Sequence, residues 1–591
     1  MTLNPFHITK EYVQNCINNN INFIEYDGKT LLHILVMNKQ VMKLKYDLII
    51  ILIDAGADLN IQDKYGNTVL HYAIINNSKK LVKDLLKTEA DLDIKNLKEK
   101  TPLILAIDYR KKKLVKLLLK FGANPNITGY NQFSPLHLAV IAKEIEIIYL
   151  LVEYKAEINA RNNIGETPLF SAILYRYEFV TELLISVGAD PNVVTNNKYT
   201  AMYDAISHKN LTLVKILVHA RYDINKMISN ELTVVQYAIL QEATDIVVFL
   251  IESGADPHFV YNKNPNKLDR PKINYLYLAI KNGCSNIPIF LICQKVNPYI
   301  VDHKGRNLLH LSIDKRMLHI AKILLHIGLD PKQTDNDGKN SLYMSVYYGI
   351  TDFVKLFLRM GLDPNSVDNT GMSLLHLAVF GCYIDIVILL ISAGADPNIK
   401  TIKGKTPLFY VAKTTNVKRA EITNFLLKSG AQSNIRDNRG YTSLFLSIYY
   451  NDILTTEIFL NNFLDPDIFN NNGDRVIDLV KFGRYHVLSY RSFTNLFKML
   501  LDFGSNIDLE RNDRMTVRDI IMTNNFSYLK DIIQDYPRVV SLKTLCMRSA
   551  RTYGLDISHL PPLLFQWANE IEEYKEYTER QNNFNIIIKQ L

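Results

Sequence analysis

The sequence predicts an all-α solenoid of about fourteen helix-turn-helix repeats with hairpin loops, and three observations carry that prediction. Thr68, Thr101, Ser134, Thr167, Thr200 and Thr233 follow one another at steps of thirty-three residues, and each opens an apolar segment such as TPLILAI, SPLHLAV or TPLFSAI. A second signature recurs later in the unit: GADLN at Gly56, GANPN at Gly122, GADPN at Gly188 and Gly394, and GLDPN at Gly361. Finally, 48% of the 591 residues are hydrophobic and 22% are charged, which supplies enough apolar surface to bury and excludes disordered and collagen-like chains. A unit this small cannot cover its own apolar faces, so neighbours must stack.

The elements of the unit follow in order from local chemistry. Thr or Ser before the apolar run accepts from the unpaired backbone N–H groups of a helix start, and Pro102, Pro135, Pro168 and Pro407 suit the first helical turn. Later in the chain Ser312, Ser345 and Ala378 mark the same step. A second apolar run, such as Ile147, Ile148, Leu150 and Leu151, forms the return helix, and a glycine such as Gly122 or Gly188 ends it in the left-handed conformation. The Asp/Asn-Pro-Asn group then turns the chain outward into a loop. Insertions fall at Met37 to Leu48, Tyr261 to Lys272 and Thr414 to Arg419, where loops can carry specificity or simply drift.

On these motifs, residues 22–535 resemble an ankyrin-repeat array. The resemblance implies a curved stack whose concave face, built from loop tips and first helices, holds a protein partner, and it implies no catalysis. Residues 1–21 are expected to form a helical cap. His33, His71, His137, His310 and His376 all occupy the fourth place of a TPLH-like tetrad, where the ankyrin pattern has a histidine bonded to a neighbouring loop, and this reading excludes a metal site.

Other chemistry finds little support. HExxH, GxSxG, phosphate-loop and GxGxxG motifs are absent, so the chain is expected to be no enzyme and to need no cofactor. Net charge is +8, a mild excess along the whole length that points to no nucleic acid. The run Arg110-Lys-Lys-Lys113 reads as a solvated turn, and the 34 Tyr and 25 Phe as core packing. Abundant Asn, Ile, Lys and Tyr resemble nucleotide bias. Five scattered cysteines without a C-x-x-C pair, and an N-terminus lacking a secretory signal, suggest the cytoplasm, with the nucleus open. Gly371 to Ala395 is strongly apolar, but His376 and Asp385 interrupt it, so a buried helix pair and no membrane contact is expected.

The segment after the array has a different grammar. Leu542, Cys546 and Ala550 lie at i, i+4 and i+8 with Leu545 beside them, making one apolar stripe bounded by Ser541 and Gly554 as caps. Such a helix can simply cover the last repeat. The spacing also resembles the elongin-binding box of the SOCS-box family, and Leu560-Pro561-Pro562 resembles that family's cullin-binding box. The resemblance implies that residues 536–570 dock elongin B/C through Leu542, Leu545, Cys546 and Ala550 as a helix in a groove. It further implies that Ile557, Leu560, Pro561 and Pro562 meet a cullin, typically cullin 5. The whole would be the substrate-recognition subunit of a cullin–RING ubiquitin ligase, with residues 571–591 a charged extension. Two alternatives stay open: an interaction scaffold or inhibitor without a ligase link, and a poxvirus-type ankyrin adaptor whose F-box-like tail recruits Skp1.

Overall fold

The computed structural model describes residues 5–534 except 25–26, 226, 229–231, 262–272, 413–417, 451, 463, 482–489, 509–515 and 524–526. It forms two compact units: residues 1–261 with 273–297, and residues 298 onward with 262–272. Among the described residues the chain forms fifteen helix pairs, eight in the first unit and seven in the second. Fourteen are α-helical in both members; in the fourteenth repeat the first member is a 3-10 turn, Val476–Lys481, before the helix Tyr490–Asp502. The third repeat, Pro102–Asp108 and Lys112–Lys120, is representative. Ahead of the first pair, helix Lys10–Asn19 buries Val13 and packs on Tyr46–Asp54.

First helices stack on first helices and second helices on second helices, burying aliphatic side chains such as Leu103, Ala106, Leu136, Ala139 and Leu169 between repeats. Stability is therefore carried by contacts between neighbours, repeat by repeat. The strongly apolar stretch forms the pair Leu374–Phe380 and Ile384–Ser392. No described helix is long and apolar enough to cross a membrane.

The capping expectation holds where the residue three places on is histidine and fails where it is phenylalanine. Ser134 Oγ accepts from the His137 N–H at 3.3 Å and meets the ring Nδ1 at 2.8 Å. At Thr167, Thr406 and Thr442 the third residue is Phe170, Phe409 or Phe445, which offers no polar atom, and the threonine hydroxyl is buried without a partner. Ser312 and Ser345 do not begin helices. Asn307 and Asn340, five residues earlier, do, and the serine hydroxyls donate within the helix to Leu309 O and Ser341 O. The insertion in the first repeat is an additional helix, Lys39–Leu44, capped by Asn38, and not only a loop.

The bend between the two helices depends on one backbone position. Nine residues after their caps, Asn77, Arg110, Lys143, Arg176, Lys209, Glu242, Arg316 and Cys382 adopt φ of 51–59°, and among the described residues Gly283 and Gly349 fill the same position with glycine. Left-handed geometry costs an ordinary side chain about 1 kcal/mol, which glycine avoids. Lys209→Gly is therefore expected to stabilise the sixth repeat by about 0.5–1 kcal/mol after allowing for the looser unfolded chain. Slower local amide exchange in Leu211–His219 is the readout, and unchanged or faster exchange would count against it.

Candidate protein-binding surface

The hairpin that precedes each first helix is built by one side chain. Asp63 Oδ1 accepts from the N–H groups of Tyr65 and Asn67, both at 2.9 Å, and Gly66 completes the turn at φ 72°. Asp302, Asp335, Asp368 and Asp437 repeat the arrangement through the second unit. Each hairpin then bonds its neighbour through the backbone: Leu97 N–H donates to Tyr65 O at 3.0 Å, Asn196 to Ile164 O at 3.0 Å and Asn369 to Asp337 O at 2.9 Å.

The five tetrad histidines complete this connection. In each, Nδ1 faces the cap residue's backbone N–H and side-chain oxygen, while Nε2 reaches the backbone oxygen just before the next repeat's cap. Those contacts are His33 to Asn67 O at 3.2 Å, His71 to Lys100 O at 3.1 Å and His137 to Glu166 O at 3.1 Å. In the second unit His310 meets Lys339 O and His376 meets Lys405 O, each at 2.9 Å. All five rings are buried, and burial lowers their pKa, to about 4 for His137 and His376. They hold repeats together at five separate places.

A second connection was not read from the sequence. Asn126, Asn159, Asn192, Asn365 and Asn398 each accept, through Oδ1, from a backbone N–H of the following repeat at 2.7–3.0 Å. For four of them the signal was present in the recurring third residue of Asp/Asn-Pro-Asn, and Asn159 holds the same place in Glu157-Ile158-Asn159. These asparagines have a structural role between repeats.

With the hairpins rigid, the exposed face lies beside them. The side chain four residues after the cap points toward the hairpin, since Tyr72 Oη donates to Asp63 Oδ2 at 2.6 Å. The residue eight after the cap lies on the same helix face. Two rows of exposed apolar side chains border this trough in the first unit: hairpin tips Tyr65, Leu97, Tyr130 and Ile164, and first-helix ends Tyr109 and Tyr175. In the second unit Ile402 is exposed at a hairpin tip, Tyr450 eight residues after its cap Thr442, and Tyr347, Phe380 and Tyr449 seven residues after theirs. Sixteen Tyr and Phe side chains in all are exposed among the described residues, so core packing explains only part of the aromatic content. Isolated exposed apolar residues are ordinary, whereas here they recur at hairpin tips and first-helix ends from one repeat to another.

In the sixth repeat the trough carries a charge. Asp204, four residues after Thr200, sits beside stacked Tyr203 and Tyr237, whose ring centroids are 4.3 Å apart, and burial raises its pKa to about 6. A raised pKa means that the carboxylate disfavours the fold: its effect is absent below pH 4 and fully felt above pH 6. Asp204→Asn is expected to stabilise the repeat above pH 6 by about 1–2 kcal/mol, discounted for partial exposure, and to change nothing near pH 4. Thermal melts of both proteins across that range are the check, and equal melting at pH 7.5 would refute it.

The residues Leu542, Leu545, Cys546, Ala550, Ile557, Leu560, Pro561 and Pro562 lie outside the described residues, so no geometry stands beside their sequence pattern. The run from Arg110 to Lys113 is in the helix–helix turn and the first helical turn, with Arg110 paired to Glu144 at 3.6 Å and Lys112 to Glu146.

The family model described as Ankyrin repeats (3 copies) matches residues 4–96, 41–129, 81–162, 103–195, 136–228, 178–260, 237–335 and 317–401. These overlapping segments run from residue 4 to residue 401 of the 591, and the helix pairs continue beyond them to Gln534. No curated protein matches the chain.

Proposed function

The chain belongs to the ankyrin-repeat family, and from that premise we propose that it is a non-catalytic adaptor whose array holds a protein partner and whose C-terminal segment docks that partner to a ubiquitin ligase. The observation that carries the first half is the trough bordered by exposed apolar rows on hairpins that are themselves locked by backbone bonds. Rigid backbone with exposed Tyr, Phe and Leu side chains suits protein recognition, because little order is lost on binding. Asp204 adds a preference for a partner presenting a Lys or Arg at the sixth repeat.

The second half rests on sequence. Leu542, Cys546 and Ala550 keep the elongin-box spacing, and helix-in-groove docking needs only such a stripe. The contribution to ubiquitin transfer is proximity, holding a substrate lysine near a conjugating enzyme supplied by other subunits. Co-purification of the full chain with elongins B and C, and separately with Skp1, tests it. Elongin capture by the wild type, and a loss of at least tenfold in a Leu542→Ala/Cys546→Ala variant of unchanged melting temperature, is the expected result. Capture of Skp1 alone moves the assignment to an F-box-like adaptor, and capture of neither leaves an ankyrin scaffold.

A further inference from the structure

The charge excess is concentrated in one stretch of the chain, and the fold sets its lysines side by side. Residues 79–120 contain thirteen Lys and Arg against six Asp and Glu, so +7 of the chain's +8 arises in 42 residues. The second helices of the second and third repeats, Lys79–Leu85 and Lys112–Lys120, pack side by side. Their lysines fall in the same register, thirty-three residues apart: Lys79 beside Lys112, Lys80 beside Lys113, Lys83 beside Lys116, and Lys87, just past the helix end, beside Lys120. Rows four residues apart are about 6 Å apart along the helix, and neighbouring helix axes are about 8–10 Å apart. Eight cations therefore share a patch no wider than about two screening lengths.

Little neutralises them. Lys87 pairs with Asp84 at 3.3 Å and Lys112 with Glu146, whereas Lys79, Lys83, Lys113, Lys116 and Lys120 pair with no carboxylate among the described residues. In the fourth repeat the corresponding places hold Ile145, Glu146, Tyr149 and Glu153, so the patch has an edge. Like charges at i, i+4 and cations in the first turn of a helix both oppose helix stability, so this arrangement weakens the bare fold.

The type of cation and its surroundings indicate the ligand. The eight are all lysines, compact point charges on flexible stems, without a free guanidinium fork for base or phosphate readout. Tyr46, the aromatic ring beside them, is covered by Lys80 at 4.0 Å from the ring centroid, and its hydroxyl donates to Asp84. That takes Tyr46 away as a stacking platform for unpaired bases, and both helices lie against the stack where neither can enter a groove. The inserted helix Lys39–Leu44 adds Lys39 and Lys43 and ends in Leu44, which is 71% exposed and two residues from Tyr46. A flat field of lysines with an exposed leucine at its margin suits a sheet of anionic headgroups over an apolar interior.

We propose that the second-helix face of the first three repeats docks on an anionic bilayer surface, with Lys79, Lys80, Lys83, Lys113, Lys116 and Lys120 meeting the headgroups and Leu44 entering the acyl boundary. This is peripheral attachment without a spanning helix. It is independent of the adaptor reading, and it departs from the expectation of no membrane contact because only the fold aligns the two lysine helices.

The test is sedimentation of the full chain with vesicles of phosphatidylcholine alone and with about one quarter phosphatidylserine, at low and high salt. Binding is expected only to the anionic vesicles, weakening at least tenfold from about 50 to 300 mM salt. A Lys79→Gln/Lys83→Gln/Lys113→Gln/Lys116→Gln variant is expected to lose at least a hundredfold in partitioning while melting no lower than wild type. Leu44→Ser is expected to weaken binding severalfold without changing the salt dependence. Absence of binding to anionic vesicles, equal binding to neutral ones, or undiminished binding by the quadruple variant would overturn the proposal. So would displacement of the wild type from anionic vesicles by a short DNA duplex at equal phosphate concentration, which would assign the patch to nucleic acid.

Discussion

At pH 5 the repeats held by His137 and His376 are each expected to be about 2 kcal/mol less stable than at pH 7.5. Both rings are fully buried, and burial, the larger effect, brings their pKa to about 4; the backbone oxygen each ring meets acts weakly in the other direction. Ring nitrogens explain why protonation is opposed geometrically. Nδ1 already receives the backbone N–H of Ser134 or Ser373 at 3.2 Å, so it has no place for a proton of its own. A folded pKa below the unfolded value contributes stability that is fully present above about 6.5 and is lost as pH falls toward 4. His33, His71 and His310 shift in the same direction, so acid should open the array at several separated repeats. Amide exchange in Pro135–Ile141 and Leu374–Phe380, corrected for intrinsic rates, measures the effect, and equal protection at both pH values would contradict it. His137→Phe, which copies the residue found naturally at Phe170, Phe409 and Phe445, should abolish the pH response in the fourth repeat and leave it in the eleventh.

Replacing Arg475 by alanine is expected to destabilise the last two repeats by about 3–5 kcal/mol, because it leaves a buried carboxylate without its cation. Arg475 takes the cap position of the fourteenth repeat, where the pattern calls for Thr or Ser, and its side chain is fully buried. Its guanidinium reaches both oxygens of Asp478 at 3.3 Å and donates to Asn506 O at 2.6 Å, while its own backbone N–H donates to Asp478 at 2.8 Å. The Asp478 carboxylate thus caps a short 3-10 turn, and the guanidinium that holds it bonds the turn to the chain entering the fifteenth repeat. In a stack stabilised by neighbours the damage should stay local. Exchange in Val517–Thr523 should accelerate while Ser341–Tyr347 keeps its protection; acceleration in both, or a loss below about 1 kcal/mol, would remove Arg475 from this role.

Much of the fold was legible because each repeat obeys local rules. Pro102, Pro135 and Pro168 at helix starts, Gly122 and Gly188 at helix ends, and His137 in its tetrad are each dictated by a few neighbouring residues. Reading failed where the reason lies in a neighbouring repeat or in an uncommon backbone angle. Thr167 and Ser134 look alike in sequence, yet the Thr167 hydroxyl is buried without a partner while that of Ser134 meets the His137 ring. Lys209 and Arg176 give no sign of the left-handed turn they occupy, since glycine, the usual marker, is missing. The exposed Tyr109, Tyr175 and Phe380 were indistinguishable from core residues, because hydrophobicity alone does not tell which face of a short helix is covered.

The sequence by itself determined the repeat, its two helices, the histidine bonds and the absence of familiar catalytic motifs, since all of these depend on spacing within about one unit. It also supplied the C-terminal box pattern, which rests on a spacing of four between Leu542, Cys546 and Ala550. Only the tertiary structure decided which apolar side chains are left exposed, that Asp204 sits in a trough against its own ionisation, and that lysines thirty-three residues apart become neighbours. The physical reason is common to all three. Burial and electrostatic potential are properties of surfaces made by stacking, and stacking joins residues that the chain keeps a full repeat apart.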